Sequence, residues 1–293
     1  MNSNPTETRV VNLIFILLSL LMLAPFALVV IISLTGEADL IQNGYRFVPD
    51  RLVFTAYEYI FKVPSIIVRS YGVTAAVTVI GTVSGLLVTA MIAYAISRPD
   101  YGYRRVTSFY VFFTMLFSGG LIPYYILMTQ YLHLKDTIWA MILPGMLSAW
   151  NVMVLKGFLA KIPMEIIESA KMDGAGEWRI FFTVVIPLST PALATMGLLI
   201  AFWHWNDWLN ALLFIDSQKL VPLQLLLVRM LSSMEVITQN LDKFGIGGLD
   251  VSKFPTMSVR MAMVVLAAGP MMVVFPFFQR YFVQGLTVGS LKG

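Results

Sequence analysis

Six apolar runs, uncharged or nearly so, divide this chain: roughly Val10–Leu34, Tyr71–Ser97, Val106–Tyr131, Ile138–Leu155, Val184–Phe214 and Val259–Phe278. Each is long enough to cross a hydrocarbon core of about 30 Å as a helix. Ile138–Leu155 is the tightest fit, and Pro144-Gly145 inside it predicts a kink. The expected fold is therefore an all-α membrane protein with six transmembrane helices. Composition agrees: 58% of the 293 residues are hydrophobic and 12% are charged, about half the charge of a soluble domain. Val10–Leu34, 25 residues without a charge, exceeds a signal-peptide core of roughly 7–15 residues and reads as a retained first helix.

Several chemistries are excluded. The chain has no cysteine, hence no disulfide and no thiolate metal site, and its two histidines, His133 and His204, lie far apart. No phosphate-cradling G-x-x-x-x-G-K-[ST], no H-E-x-x-H and no G-x-S-x-G is present. The net charge of +4 comes without a basic run, which argues against nucleic acid. Within the apolar runs only His204 and Asp207 resemble coupling-ion ligands, both near the end of one run. An energy-coupled machine with neither an ion site nor a nucleotide site needs a partner that supplies the energy.

Orientation follows from the short loops. Lys and Arg number ten on each face when every loop is counted, but the rule applies best to short loops. Arg98–Arg105 holds three basic residues and the tight loop near Lys135 holds one. This puts Arg98–Arg105, Lys156–Arg179 and both termini in the cytoplasm. The expected organisation is an N-terminal helix and outer linker over 1–70, a five-span core over 71–283 with a polar loop at 161–187, and a tail over 284–293. Phe54 to Phe61 suits a short interfacial helix, and 221–231 has helical spacing but is too short to span. Gly81 and Gly85 form a G-x-x-x-G, which favours close helix packing with a neighbour in this chain or another.

The polar loop reads KIPMEIIESAKMDGAGEWRIFFTVVIP from Lys161 to Pro187, and eight charged residues fall between Lys156 and Arg179. Pro163 suits a first helical turn, and Glu165 and Glu168 sit where the helix dipole favours acids. Ile162, Ile166 and Ala170 recur at helical spacing as an apolar face for a partner. Glu168 and Lys171 are spaced to pair. Asp173-Gly174 supplies a turn, because glycine takes positive φ without a steric penalty. A second short helix is expected from Gly176 to Phe182.

The same loop carries a resemblance. Glu168-Ser169-Ala170, three residues, Gly174, nine residues, then Val184-Val185-Ile186-Pro187 resembles the E-A-A-x3-G-x9-I-x-L-P signature of inner-membrane permease subunits of binding-protein-dependent ABC importers. Ser169, Val184 and Ile186 depart from it by small-for-small or aliphatic exchange. TIWAMILP (137–144), Asp173-Gly174-Ala175 and Trp205-Asn206 resemble the carbohydrate-uptake branch, and GLTVGSLKG (285–293) is similar to the ending of the smaller permease in maltose-type systems. The resemblance implies a non-catalytic subunit of the bacterial inner membrane, working by alternating access. Its partners would be a second, homologous permease, two ATPase subunits, an external solute-binding protein, oligosaccharide and membrane lipid. No cofactor is expected in this chain, ATP and Mg lying on the partner ATPase. Glu165, Glu168, Ser169, Ala170, Asp173 and Gly174 would form the ATPase-coupling helix and turn, and Gly289, Leu291 and Lys292 a C-terminal ATPase contact.

Substrate-path residues are less sharply marked. Trp203, Trp205, Asn206 and Asp207, with Tyr124, combine aromatic faces with amide and acid groups, which suits sugars, but tryptophans near a span end also act as interfacial anchors. Measured along a straight helix, Trp203 lies roughly 28 Å beyond Val184. Ser118 to Tyr125 resembles a segment of importers of complex oligosaccharides, including alginate and other uronate chains. The alternatives are an ABC permease for a non-carbohydrate solute such as peptides, an ion-coupled secondary transporter, and a membrane scaffold without transport.

Overall fold

In a computed structural model of the chain, the structure describes residues 5–62, 64–240 and 256–287. Among the described residues the regular structure is helical, the one β pairing being an isolated antiparallel bridge between Thr35 and Leu52. Helix α1 (Pro5–Ser33) leads through the short α2 (Glu37–Asn43) and α3 (Thr55–Ile60) to α4 (Pro64–Ser97). A short helix expected near Phe54–Phe61 is thus present as α3. Three segments are single helices long and apolar enough to cross a membrane: Thr8–Ser33, Pro64–Ser97 and Thr256–Gln279.

The three middle runs are not straight. Helix α5 (Arg104–Leu116) turns by 111° into α6 (Leu121–Ile126), which continues as a π-helical turn to Tyr131. Gly120, at φ +85°, makes that corner. Helices α7 (Trp139–Met146) and α8 (Ala149–Leu159) meet at 47°. The kink expected at Pro144-Gly145 falls instead at Leu147 and Ser148, both extended. Gly145 stays helical, and the Trp203 ring occupies the place a Cβ would take.

After α8 come α9 (Met164–Met172), α10 (Glu177–Ile180), a π-helical turn at Phe181–Val185 and α11 (Ile186–Leu188). A bend of 85° at Ser189 then leads into α12 (Thr190–Asn206). Pro187 and Pro191 flank Ser189 and lack the N–H groups that a continuous helix needs. The straight-axis distance expected between Val184 and Trp203 therefore does not apply. Short α13 (Leu209–Phe214), then α14 (Leu223–Asn240) and α15 (Thr256–Thr287), complete the described helices. Counting each bent pair as one span gives up to six.

By compactness the chain divides into two units. Val68–Leu226 with Met271–Gly293 forms one of them. Its packing rests on glycines of α4. Gly81 lies against the His204 imidazole of α12, and a Cβ on Gly85 would come within 2.9 Å of the Met146 carbonyl oxygen. Gly197 of α12 reciprocates against Leu86. The neighbour of this G-x-x-x-G thus belongs to the same chain. Ala93, Ile96, Leu155 and Ile180 are wholly buried nearby, a core drawn from α4, α8 and α10.

Met1–Ile67 with Leu227–Pro270 forms the other unit, which joins 227–270 to the N-terminal segment. Here Val53 donates its N–H to the Leu34 carbonyl at 2.8 Å, and Ser33 and Tyr57 share a hydroxyl hydrogen bond of 2.9 Å. The buried carboxylate of Glu37 covers the start of α15. It accepts from the Thr256 hydroxyl at 2.8 Å, the Met257 N–H at 2.9 Å, and the Ser258 N–H and hydroxyl at 3.1 and 3.0 Å. A helix start leaves its first N–H groups without intrahelical partners, and an acid there satisfies them and the dipole together.

Candidate coupling loop and polar path

The segment 160–180 is a helix, a tight turn and a shorter helix, as its spacing predicts. Pro163 (φ −57°, ψ 133°) stands at the entry to α9, with Glu165 in the first turn. The far end closes as a Schellman motif. Ala175 donates its N–H to the Ala170 carbonyl at 3.0 Å, and Gly174 to that of Lys171 at 3.0 Å. Gly174 has φ +76°, the left-handed conformation that this motif requires. Gly176 precedes α10, which spans Glu177–Ile180 before the chain tightens into its π-helical turn.

Glu165, Glu168, Ser169, Asp173 and Gly174 are exposed, and Ala170 is half-buried. Ile167 anchors the helix: it is 4% exposed, and burying it is worth about 1.5–3 kcal/mol. Ile162 and Ala170 also pack onto the core of their own chain, so the apolar face expected for a partner is largely used internally. Ile166, Met172 and Trp178 remain exposed around it. The expected pairing of Glu168 with Lys171 gives way to another. The Lys171 ammonium lies 2.9 Å from Asp100 and 3.2 Å from Glu177.

Those acids belong to a network that the sequence reading missed. Arg98 follows α4 directly, and its side chain is 6% exposed. Its Nε donates to Asp100 Oδ1 at 2.7 Å and Nη1 to Glu177 Oε2 at 2.9 Å. Nη1 also donates to the Tyr94 hydroxyl, and Nη2 to Asp100 and to Glu177. The Tyr94 hydroxyl in turn donates to Glu177 Oε2 at 3.1 Å. The guanidinium beside Asp100 holds that carboxyl well below its usual range. Asp100, followed by Glu177, raises the Lys171 ammonium. Beside the network lies a cavity of about 400 Å³ lined by Tyr94, Tyr101, Trp178 and Phe181 among others. The available signal was Arg98, one of only a few charges bordering a long apolar run.

The polar path residues separate into two groups. Trp205 is buried with its ring 6.5 Å from that of Tyr71. Asp207 accepts from Asn210 N and Nδ2 at 3.2 and 2.8 Å, and Asn210 Oδ1 accepts from the Tyr124 hydroxyl at 2.7 Å. This relay braces α6 against the turn between α12 and α13, a structural use of Asp207 and Tyr124. Trp203 and Asn206 keep exposed surface, and Gln224 donates to Asn206 Oδ1 at 3.2 Å. Gly289, Leu291 and Lys292 lie outside the described residues.

Known proteins resemble this chain over nearly its whole length. A polygalacturonan/rhamnogalacturonan transport system permease protein, YtcP, of Bacillus subtilis (strain 168) is 36% identical over 278 residues, 95% of each chain. An arabinooligosaccharides transport system permease protein, AraQ, of the same organism is 30% identical over 96% of this chain and 95% of its own. Among solved structures, a chain of a bacterial ABC transporter involved in the import of the acidic polysaccharide alginate superposes with a TM-score of 0.80. It is 29% identical and covers 96% of this chain and 98% of its own. Residues 85–288 match the family described as binding-protein-dependent transport system inner membrane component, and the chain belongs to that family.

Proposed function

We propose that this chain is one of two permease subunits lining the path of an ATP-driven importer for acidic oligosaccharides, with uronate chains as the substrate class. The observation that carries the reading is the rigidly closed, exposed α9–Gly174–α10 hairpin, whose residues fit the family's coupling signature. Glu165, Glu168, Ser169 and Asp173 offer polar contacts to an ATPase groove, and Gly174 sets the angle of the lever. Ala170 seats the hairpin on its own chain. ATP and Mg reside on that partner. The chain crosses the membrane six times, with the hairpin and both termini in the cytoplasm, and the tail residues Gly289, Leu291 and Lys292 add a second ATPase contact. Trp203 and Asn206 are the residues assigned to the sugar path. Two of the similar proteins, named for polygalacturonan/rhamnogalacturonan and for alginate, support acidic sugars, while AraQ is named for arabinooligosaccharides.

The test is ATP hydrolysis by the importer reconstituted with its second permease, ATPase and binding protein. Galacturonate and alginate oligosaccharides are expected to stimulate it, and neutral arabino-oligosaccharides to do so weakly. Stimulation by neutral sugars alone would overturn the uronate assignment. Silence toward every sugar, with stimulation by peptides, would overturn the carbohydrate reading and leave the permease role intact.

A further inference from the structure

The turn at Gly174 is held by more than its own backbone. Lys171 precedes Gly174 by three residues and Glu177 follows it by three, and both side chains reach the segment just beyond α4. Arg98 is the centre of that clasp. Its five N–H donors meet five acceptors on Tyr94, Asp100 and Glu177. A guanidinium fills such a fork through its fixed planar geometry, which an ammonium cannot reproduce. Two cations and two acids make the cluster neutral, and removing Arg98 alone would leave Lys171 as the one cation in it, with the Tyr94 hydroxyl still on Glu177. A clasp of this kind carries motion only if its two sides are themselves stiff. Helix α4 is continuous to Ser97, and the hairpin is pinned by Ile167 and Ile180.

We infer that Arg98 is a positioning residue of the coupling lever: through Asp100 and Glu177 it ties the α9–α10 turn to the end of α4, so that movement of the hairpin reaches α4 as a rigid-body displacement. The inference rests on the coupling role proposed above. It assigns the delivery of motion to a side chain outside the signature residues.

The experiment uses the complete importer, and the absence of cysteine in this chain lets introduced thiols report alone within it. Spin labels at Tyr103→Cys and Met172→Cys, both highly exposed positions, measure the separation of the loop after α4 from the hairpin, nucleotide-free and with ATP–vanadate. With Arg98 intact, the distance distribution is expected to be narrow and unchanged between the two states. In Arg98→Gln it broadens or shifts by about 2 Å or more, and sugar transported per ATP hydrolysed falls about tenfold, within the range that a coupled network residue controls. Glu177→Gln, which keeps the side chain's shape, is expected to act alike, the double variant to add little, and Arg98→Lys to recover part of the loss. A purely structural role would lower assembly and leave transport per ATP in the assembled fraction unchanged. An assembled Arg98→Gln or Glu177→Gln importer with a narrow distribution and transport per ATP within about twofold of the parent overturns the inference. Thiol cross-linking of Ser169→Cys to the ATPase separates the two readings. A cross-link together with unaltered coupling removes only the role of Arg98. Its absence in every nucleotide state removes the coupling reading and this inference with it.

Discussion

A Cβ on Gly174 would meet nothing within 4 Å, so any penalty for a larger residue there comes from its φ of +76°. A non-glycine residue in that region costs about 1–2 kcal/mol, least for Asn and most for β-branched side chains. Gly174→Asn is therefore expected to retain most transport and Gly174→Val to lose it, with membrane insertion of both unchanged. Equal loss in the two would point to contact with a partner instead of conformation. The ion pairs beside this turn make a second prediction. Asp100 is held below its ordinary 3.8, chiefly by Arg98, so its contribution is complete above that value and lost as pH falls toward the lower folded one. Lys171 is held above its ordinary 10.5, chiefly by Asp100, so its contribution is complete below that value and lost as pH rises through the higher one. Tyr94, Tyr101, Arg98 and Glu177 are the other ionisable groups at this cluster. Transport per ATP is expected to be flat from about pH 5 to 9. A titration step near neutrality in proteoliposomes would assign control to a group elsewhere. Gly174 was legible in the sequence because its turn is local. Arg98 was not, because Glu177 stands 79 residues away and nothing in the intervening pattern names the pair.

Helix α4 shows how little of helix packing a glycine count conveys. Gly72 and Gly85 lie on the same helix, yet a Cβ on Gly72 meets nothing within 4 Å and one on Gly85 meets a main-chain oxygen at 2.9 Å. Gly72→Ala is expected to be neutral. Gly85→Ala forces α4 away from the α7–α8 corner and should cost about 1–3 kcal/mol, read as a lower unfolding temperature of the purified complex. Equal stability of the two variants would show that the corner yields. The apolar runs announced the span candidates, and a bend in Ile138–Leu155, but not the bend at Ser189. Gly119-Gly120 stands at the sharpest corner. The kink expected at Pro144 does not form there, because a membrane helix tolerates proline wherever neighbours satisfy the freed backbone groups. Pro144 passes inside α7, whereas Pro187 and Pro191 bracket the 85° bend. Neighbours decide such cases, and a local pattern does not contain them. The Trp203–Asp207 stretch is similar: the sequence does not show that Asp207 accepts from Asn210, whose own amide oxygen accepts from Tyr124.

Within the unit of Met1–Ile67 and Leu227–Pro270, one contact joins the first quarter of the sequence to its last. Glu37→Ala would strip the acceptor from the first turn of α15 and leave its N–H groups and two hydroxyls unsatisfied, at a cost of about 1–3 kcal/mol. The variant is expected to unfold at lower temperature and Glu37→Gln, which keeps one acceptor, at an intermediate one. Unchanged melting of Glu37→Ala would show that water serves the helix start equally well. No sequence pattern announced this pair, since Glu37 and Thr256 stand 219 residues apart. That separation also has a meaning in time. Synthesis delivers the acid long before the hydroxyls and amides that it serves, so on the nascent chain Glu37 waits hydrated. Only arrival of the last helix strips its water and buries the charge among donors. A chain cut short before Thr256 thus lacks the hydroxyls and amides from which Glu37 accepts.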